Sequence, residues 1–120
     1  MDYRREKGRQ GELLVARYLE QRGYIIIKHN FRQRFGEVDV IAQKGDTIAF
    51  VEVKWRRNPL IDPAEIISFS KQKKIATVAK LFLSQHTNGE VVCRFDVALI
   101  EEQQNSLDLR YIVDAFSAFD

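Results

Sequence analysis

The stretch Glu37-Val38-Asp39-Val40-Ile41-Ala42-Gln43-Lys44-Gly45-Asp46-Thr47-Ile48-Ala49-Phe50-Val51-Glu52-Val53-Lys54 decides the fold. Glu37–Gln43 and Thr47–Arg56 are rich in β-branched and aromatic residues and read as two strands. Between them, Gly45-Asp46 carries the signal of a two-residue hairpin turn. With those two residues at the turn, Ala42 faces Ala49, Val40 faces Val51 and Val38 faces Val53. Side chains alternate along a strand, so one face of the hairpin is wholly apolar and must be buried. The other face pairs Ile41 with Phe50, Asp39 with Glu52 and Glu37 with Lys54. A slip of one residue would mix the two faces, which fixes the register.

In that register Asp39 and Glu52 stand opposite each other, with β-carbons about 4.5–5.5 Å apart, and two like charges so placed repel. A divalent cation held by oxygen ligands would offset the repulsion. Mg²⁺ commonly takes one or two carboxylates and keeps several waters. Lys54 lies two residues beyond Glu52 on the same face. A carboxylate-held metal and a nearby lysine are what phosphodiester hydrolysis needs, a water made nucleophilic and charge stabilised on the phosphate. The plainer reading takes Glu52 and Lys54 as exposed strand-end charges, with Glu37 and Lys54 as a cross-strand pair.

Outward from the hairpin, Arg4 to Arg22 reads as a helix with an apolar stripe at Leu14, Val15, Tyr18 and Leu19, stopped by Gly23. Tyr24–Ile27 reads as a strand and Asn30–Gly36 as a basic loop. After a loop over Asn58–Pro63, Asp62, Pro63 and Glu65 give a capping-box start to a helix, with a second start possible at Ser70. Ile75, Val78, Ala79 and Phe82 fall at helical spacing. Thr87-Asn88-Gly89 breaks the chain, Val91–Ile100 is a strand and Leu109–Val113 a short last one. The order α-β-β-β-α-β-β describes an α/β fold, a mixed central sheet flanked by helices. Trp55, Phe69 and Phe82 read as core, and Asp96 as an acid inside an apolar strand with its role open.

The chain has 120 residues, enough for a single domain over residues 1–120 and too short for two ordinary ones. Apolar residues make up 45% and charged residues 30%, a globular composition. No apolar run approaches the roughly 20 residues of a membrane helix, and no apolar segment follows the N-terminus. The single cysteine, Cys93, excludes an internal disulfide and a multi-thiolate zinc site. These features suit a reducing cytoplasm. The net charge of +2 hides an asymmetry: residues 1–80 carry +7 and residues 81–120 carry −5. The cations cluster at Arg4, Arg5, Lys7 and Arg9, at Lys28, Arg32 and Arg34, at Lys54, Arg56 and Arg57, and at Lys71, Lys73 and Lys74. Such clusters attract phosphate, though they also suit an ordinary solvated surface.

Asp39 followed by Glu52-Val53-Lys54 resembles the PD-(D/E)XK signature of the restriction-endonuclease-like nucleases, with Val38 where that signature has proline. The element order is similar to that superfamily's core. A closer resemblance covers nearly the whole chain. Gly8-Arg9-Gln10-Gly11-Glu12, Asn30-Phe31-Arg32, Gly36 to Ile41, Phe50 to Lys54, Arg94 to Val97 and Asp114-Ala115-Phe116 together resemble the YraN-like family of small, largely uncharacterised bacterial proteins. That family is predicted to be nuclease-like and similar to archaeal Holliday-junction resolvases. Where it usually has threonine after the lysine this chain has Trp55, which alternation places on the apolar face as packing.

The resemblance implies a restriction-endonuclease-like core and a Mg²⁺- or Mn²⁺-dependent nuclease, with DNA ahead of RNA as its nucleic acid and branched or structured DNA as one candidate substrate, and it leaves the cellular substrate open. It implies Asp39, Glu52, Glu12 and the main-chain carbonyl of Val53 as metal ligands and Lys54 as the catalytic lysine. From its own sequence surroundings Glu12 is a helix-surface carboxylate. Lys71 corresponds to a basic position near the phosphate in related nucleases, and Arg9, Arg32, Arg34, Arg56 and Arg57 are candidates for holding the nucleic-acid backbone. Resolvases act as dimers, so the resemblance extends to a homodimer. Gly8 and Gly11 lower helix propensity, which fits either a close approach by backbone or phosphate or a frayed helix start. The competing functions are a nucleic-acid-binding module without catalysis and a nuclease-like scaffold for interactions.

Overall fold

The computed structural model describes residues 3–56, 67–87 and 89–117. The elements are α1 (Tyr3–Gln21), β1 (Ile25–Gln33), β2 (Gly36–Lys44), β3 (Thr47–Arg56), α2 (Phe69–His86), β4 (Val92–Gln103) and β5 (Ser106–Phe116), the α/β order expected. The strands form one mixed sheet in the order β1-β2-β3-β4-β5. Among the described strands only β3 and β4 pair in parallel, from Thr47–Val92 to Arg56–Glu101. A parallel pair cannot be closed by a tight turn, and the crossover between these two strands contains α2.

The helices cover opposite faces. Val15 and Leu19 of α1 pack with Val40, Ala42, Ala49, Val51, Ala98 and Ile100. Ile75, Val78, Ala79 and Phe82 of α2 pack with Ile41, Ile48, Phe50, Phe95 and Val97. Both stripes are those read from helical spacing. Gly23, at φ 91°, ends α1: its N–H bonds Glu20 O and the Tyr24 N–H reaches back to Leu19 O, an arrangement that favours glycine. Gly11 marks a close approach rather than a frayed start. A β-carbon there would stand 3.1 Å from Ile100 Cδ1 and 3.2 Å from Val53 Cγ1. Gly8 has open space around it.

The hairpin register holds where the ladder runs: Val40–Val51, Ile41–Phe50 and Ala42–Ala49 are paired as expected. It fails at the charged end. The ladder stops at Val40–Val51, so Val38–Val53, Asp39–Glu52 and Glu37–Lys54 are not ladder pairs. Asp39 Oδ2 accepts the Val53 N–H at 2.8 Å, so a side chain takes the donor that a partner strand would use. On the other side of β2, Asn30 adopts φ 51°. Strict alternation is lost there, and Val38 joins the core beneath α2, opposite the face expected.

Three further expectations change. Asn30–Gly36 is mostly strand, because β1 runs to Gln33 and turns only through Arg34 and Phe35. The last strand is longer than Leu109–Val113, since a tight turn at Gln104 and Asn105 starts it at Ser106. Phe69 is not core: it leaves 69% of its surface in solvent, whereas Phe82 is buried and Trp55 packs partly against the α1-side cluster. The Asp62–Glu65 capping box and the Asn58–Pro63 loop lie outside the described residues. The cap of α2 is Ser68, whose hydroxyl accepts the Lys71 N–H at 3.1 Å.

Asp96 is fully buried and is the acceptor at the centre of a polar network. Arg94 donates to it from Nε at 2.9 and 3.1 Å and from Nη2 at 2.8 Å. The Tyr111 hydroxyl and the Asp114 N–H donate as well, and Arg94 Nη2 also donates to the Tyr24 hydroxyl at 2.6 Å. Hydrogen bonds to Asp96 push the Arg94 pKa up, and burial beside the Asp96 charge does the same to Tyr111. This ties β4 to β5 where their register shifts between Phe95 and Val97.

Candidate functional site

Asp39, Glu52 and Lys54 meet at the end of the hairpin where β2 and β3 part. Two of the three come from β3, whose ladder with β4 runs its full length and fixes its position. Glu52 is 4% exposed. Its Oε1 lies 2.7 Å from Lys71 Nζ and 3.7 Å from Lys54 Nζ. Its Oε2 is buried with no hydrogen-bond partner among the described residues. A buried acceptor left open is costly, by about 1–3 kcal/mol and more when charged. That oxygen is chemically suited to accept from a proton donor or to bind a cation.

The electrostatics are those of crowded acids. Burial pushes the Asp39 pKa up to about 7, the Glu52 charge adds to the rise, and the Val53 N–H offsets part of it. Burial also raises Glu12, against the hydrogen bond from Asn30. For Lys54, burial and the neighbouring Lys71 pull the pKa down, so its ammonium is easier to deprotonate than usual. Burial opposes the Lys71 charge too, but its hydrogen bond to Glu52 and that residue's charge outweigh the loss and push it up.

The surrounding residues divide. Glu12 is half-buried and sits at the rim, accepting from Asn30 Nδ2 at 2.8 Å. Asn30 is thus a supporting residue that sequence reasoning did not single out, although it stood in one of the matching stretches. Val53 offers its N–H to Asp39 and its side chain to the α1-side cluster. Lys71 is closer to the carboxylates than a backbone-binding role implies. Arg9, Arg32 and Arg34 are exposed, and Arg32 Nε lies 3.3 Å from Glu37 Oε2. Arg56 is turned inward, 3.6 Å from Glu101 Oε2. Arg57 lies outside the described residues.

Among the described residues no three His, Cys, Asp or Glu side chains converge closely enough to grip a metal by themselves. The donor set instead offers two carboxylates, one with an unpartnered buried oxygen. That fits a hard cation that keeps part of its water shell, as Mg²⁺ does.

The raised Asp39 pKa has a defined sign for stability. Between about pH 4 and 7 the folded chain keeps a proton that the unfolded chain has lost. Metal-free stability therefore falls as pH rises through that window and levels off above it. Asp39→Asn, which can still accept from Val53, is expected to match wild type near pH 4 and to exceed it by up to about 4 kcal/mol at pH 8. Urea unfolding in EDTA across this range checks it, and parallel curves for the two proteins would contradict the shift.

The model of the uncharacterised protein family UPF0102 matches residues 11–100. The chain is 38% identical over 117 residues to a UPF0102 protein of Dictyoglomus thermophilum, covering 93% of this chain and 98% of the relative. It is 41% identical over 116 residues to one of Chlorobium limicola, with 91% and 90% covered. To one of Caldicellulosiruptor saccharolyticus it is 39% identical over 116 residues, with 94% and 98% covered.

Proposed function

We propose, for a chain that belongs to the uncharacterised protein family UPF0102, the function of a metal-dependent nuclease hydrolysing phosphodiester bonds in DNA. The observation that carries this reading is Glu52, buried between two lysines with one oxygen unpartnered among the described residues, next to an Asp39 pushed toward neutrality by burial. The β3-α2-β4 crossover over a mixed sheet, and the resemblance of Asp39 and Glu52-Val53-Lys54 to the PD-(D/E)XK signature, support it.

Asp39 and Glu52 are the residues that would hold Mg²⁺ or Mn²⁺, with Glu12 and the Val53 carbonyl as further candidates. A metal bound there supplies an acidified water and neutralises developing phosphate charge. The chain's own groups do the rest. Lys54, with its lowered pKa, can take a proton from the attacking water or hold that water in line. Lys71 stays charged through Glu52 and is half-exposed, so it can exchange that carboxylate for a phosphate oxygen. Arg9, Arg32 and Arg34 are exposed and would hold the backbone without reading sequence. The preference for DNA over RNA, a branched substrate and a homodimer are proposed by analogy with resolvases alone.

A second reading has its own observation. Lys71 already neutralises Glu52 at 2.7 Å, which a nucleic-acid-binding module without catalysis would need no metal to achieve. Mn²⁺ titration calorimetry on wild type and Asp39→Asn, with circular dichroism to verify the fold, separates the two. The nuclease reading expects binding by wild type and none by the variant. Absence of binding by both would put the binding module first.

A further inference from the structure

The two outer strands of the sheet differ. The β1 edge is broken by a register shift and by the left-handed Asn30. In contrast, β5 pairs with β4 without a break from Gln103–Ser106 to Val97–Ile112. Its other side is an end of the sheet, and no described strand pairs with it. Natural edges are commonly blunted by a bulge, proline or lysine. Residues 106–112 contain none of these, and the first irregular backbone is Asp114, at φ 55°. Leu107, Leu109 and Tyr111 stand on the α1 side of this edge, opposite Glu102, Ile100 and Ala98, and Leu107 leaves 48% of its surface in solvent. Asp108 and Arg110 stand on the other side and are exposed. Asp108 lies opposite Glu101, a like charge on the neighbouring strand. Among the described residues neither Asp108 nor Arg110 is in an ion pair.

A second copy can meet this edge in antiparallel pairing about a two-fold axis. Opposed residues share a face of a sheet, so the axis must pass between one residue and its own copy. An axis at Asp108 or at Arg110 sets like charges against each other. An axis at Tyr111 sets Asp108 against the partner's Asp114, where the backbone is left-handed. An axis at Leu107 runs the pairing into the turn at Gln104 and Asn105. At Leu109 the edge is self-complementary. Asp108 meets the partner's Arg110, Arg110 meets the partner's Asp108, and Leu107 on the opposite face meets the partner's Tyr111. Each Asp108 then gains a cation on the side away from Glu101.

We propose that β5 is the seam of a homodimer, with residues 106–112 of two copies paired antiparallel about Leu109. The pairing joins two five-stranded sheets into one and consumes the edge it uses, so it closes at two copies. It gives an interface to the homodimer proposed by analogy above, yet rests on the residues of this edge and not on that analogy. Asp39 and Glu52 lie on β2 and β3, with β4 between them and the seam.

The test is sedimentation velocity over a wide range of protein concentration, at low salt so that exposed pairs are not screened. Wild type is expected to pass from monomer to dimer as concentration rises. Asp108→Arg sets a cation against the partner's Arg110, and Arg110→Asp sets an anion against the partner's Asp108. Either change turns two attractive cross-strand pairs repulsive and should weaken dimerisation by about tenfold or more. The two variants mixed in equal amounts should dimerise again, because opposite charges then meet at both pairs. Circular dichroism verifies that each variant is folded. Wild type that stays monomeric overturns the seam and the homodimer together. A dimer that neither change weakens, or a loss that mixing does not repair, overturns the seam and leaves a homodimer through another surface. None of these outcomes depends on Mn²⁺ or on cleavage, so the seam and the nuclease reading can fail separately.

Discussion

Glu52→Gln is expected to lower Mn²⁺- or Mg²⁺-dependent DNA cleavage by roughly a hundredfold to a thousandfold, the scale on which a single preorganised electrostatic group acts. The variant keeps the shape and loses the charge. The fold should survive it, because Glu52 hangs from a β3 strand paired along its length to β4. The local field then becomes more positive: Lys54 and Lys71 lose the carboxylate they share, and Lys71, already half-exposed, turns to solvent. Removing one negative charge from a basic site should leave DNA affinity unchanged or raised. Lost cleavage with retained binding is therefore the signature, read from a gel assay beside an anisotropy titration at one salt concentration. Cleavage at the wild-type rate would remove Glu52 from the chemistry.

Asp96→Ala is the largest expected loss of stability. It strips the acceptor from the Arg94 guanidinium, the Tyr111 hydroxyl and the Asp114 N–H together. Removing one partner of a buried charge pair costs about 3–5 kcal/mol, a large share of the 5–15 kcal/mol that holds a domain folded. Asp96→Asn, which keeps the shape and some acceptor capacity, should lose about 1–3 kcal/mol. Urea denaturation of the three proteins gives both numbers. A loss below about 1 kcal/mol for the alanine variant would mean that the network is relaxed in solution.

The hairpin was legible because two strands with matched apolar residues and a Gly-Asp turn admit one register, and Ala42–Ala49 to Val40–Val51 follow it. The α1 and α2 stripes were legible for the same reason, a period set by the neighbouring core. Alternation stops being a guide where a side chain replaces a backbone partner. Nothing in the residue types around Asp39 shows that its carboxylate takes the Val53 N–H, or that Val38 then changes face. The Asp96 network was hidden for another reason. Tyr24 lies 70 residues along the chain from Arg94 and Tyr111 sits on the next strand, 15 residues from Asp96, and only the folded sheet shows that all of them meet. Lys71 could be placed near the site by resemblance, whereas its contact with Glu52 needed α2 docked on the sheet. Phe69 was misread because an aromatic at a helix start resembles core until the helix face it occupies is known.

The irregularities of β1 also bear on self-association. As an outer strand of the sheet it presents backbone donors and acceptors to any other extended chain, and a long flat edge is a template for open-ended stacking. Its register shift between Ile26 and Lys28 and the left-handed Asn30 bend that edge away from flatness. The other outer strand, β5, carries a left-handed Asp114. The residue that orients Glu12 thus also spoils a surface on which copies of the chain could polymerise.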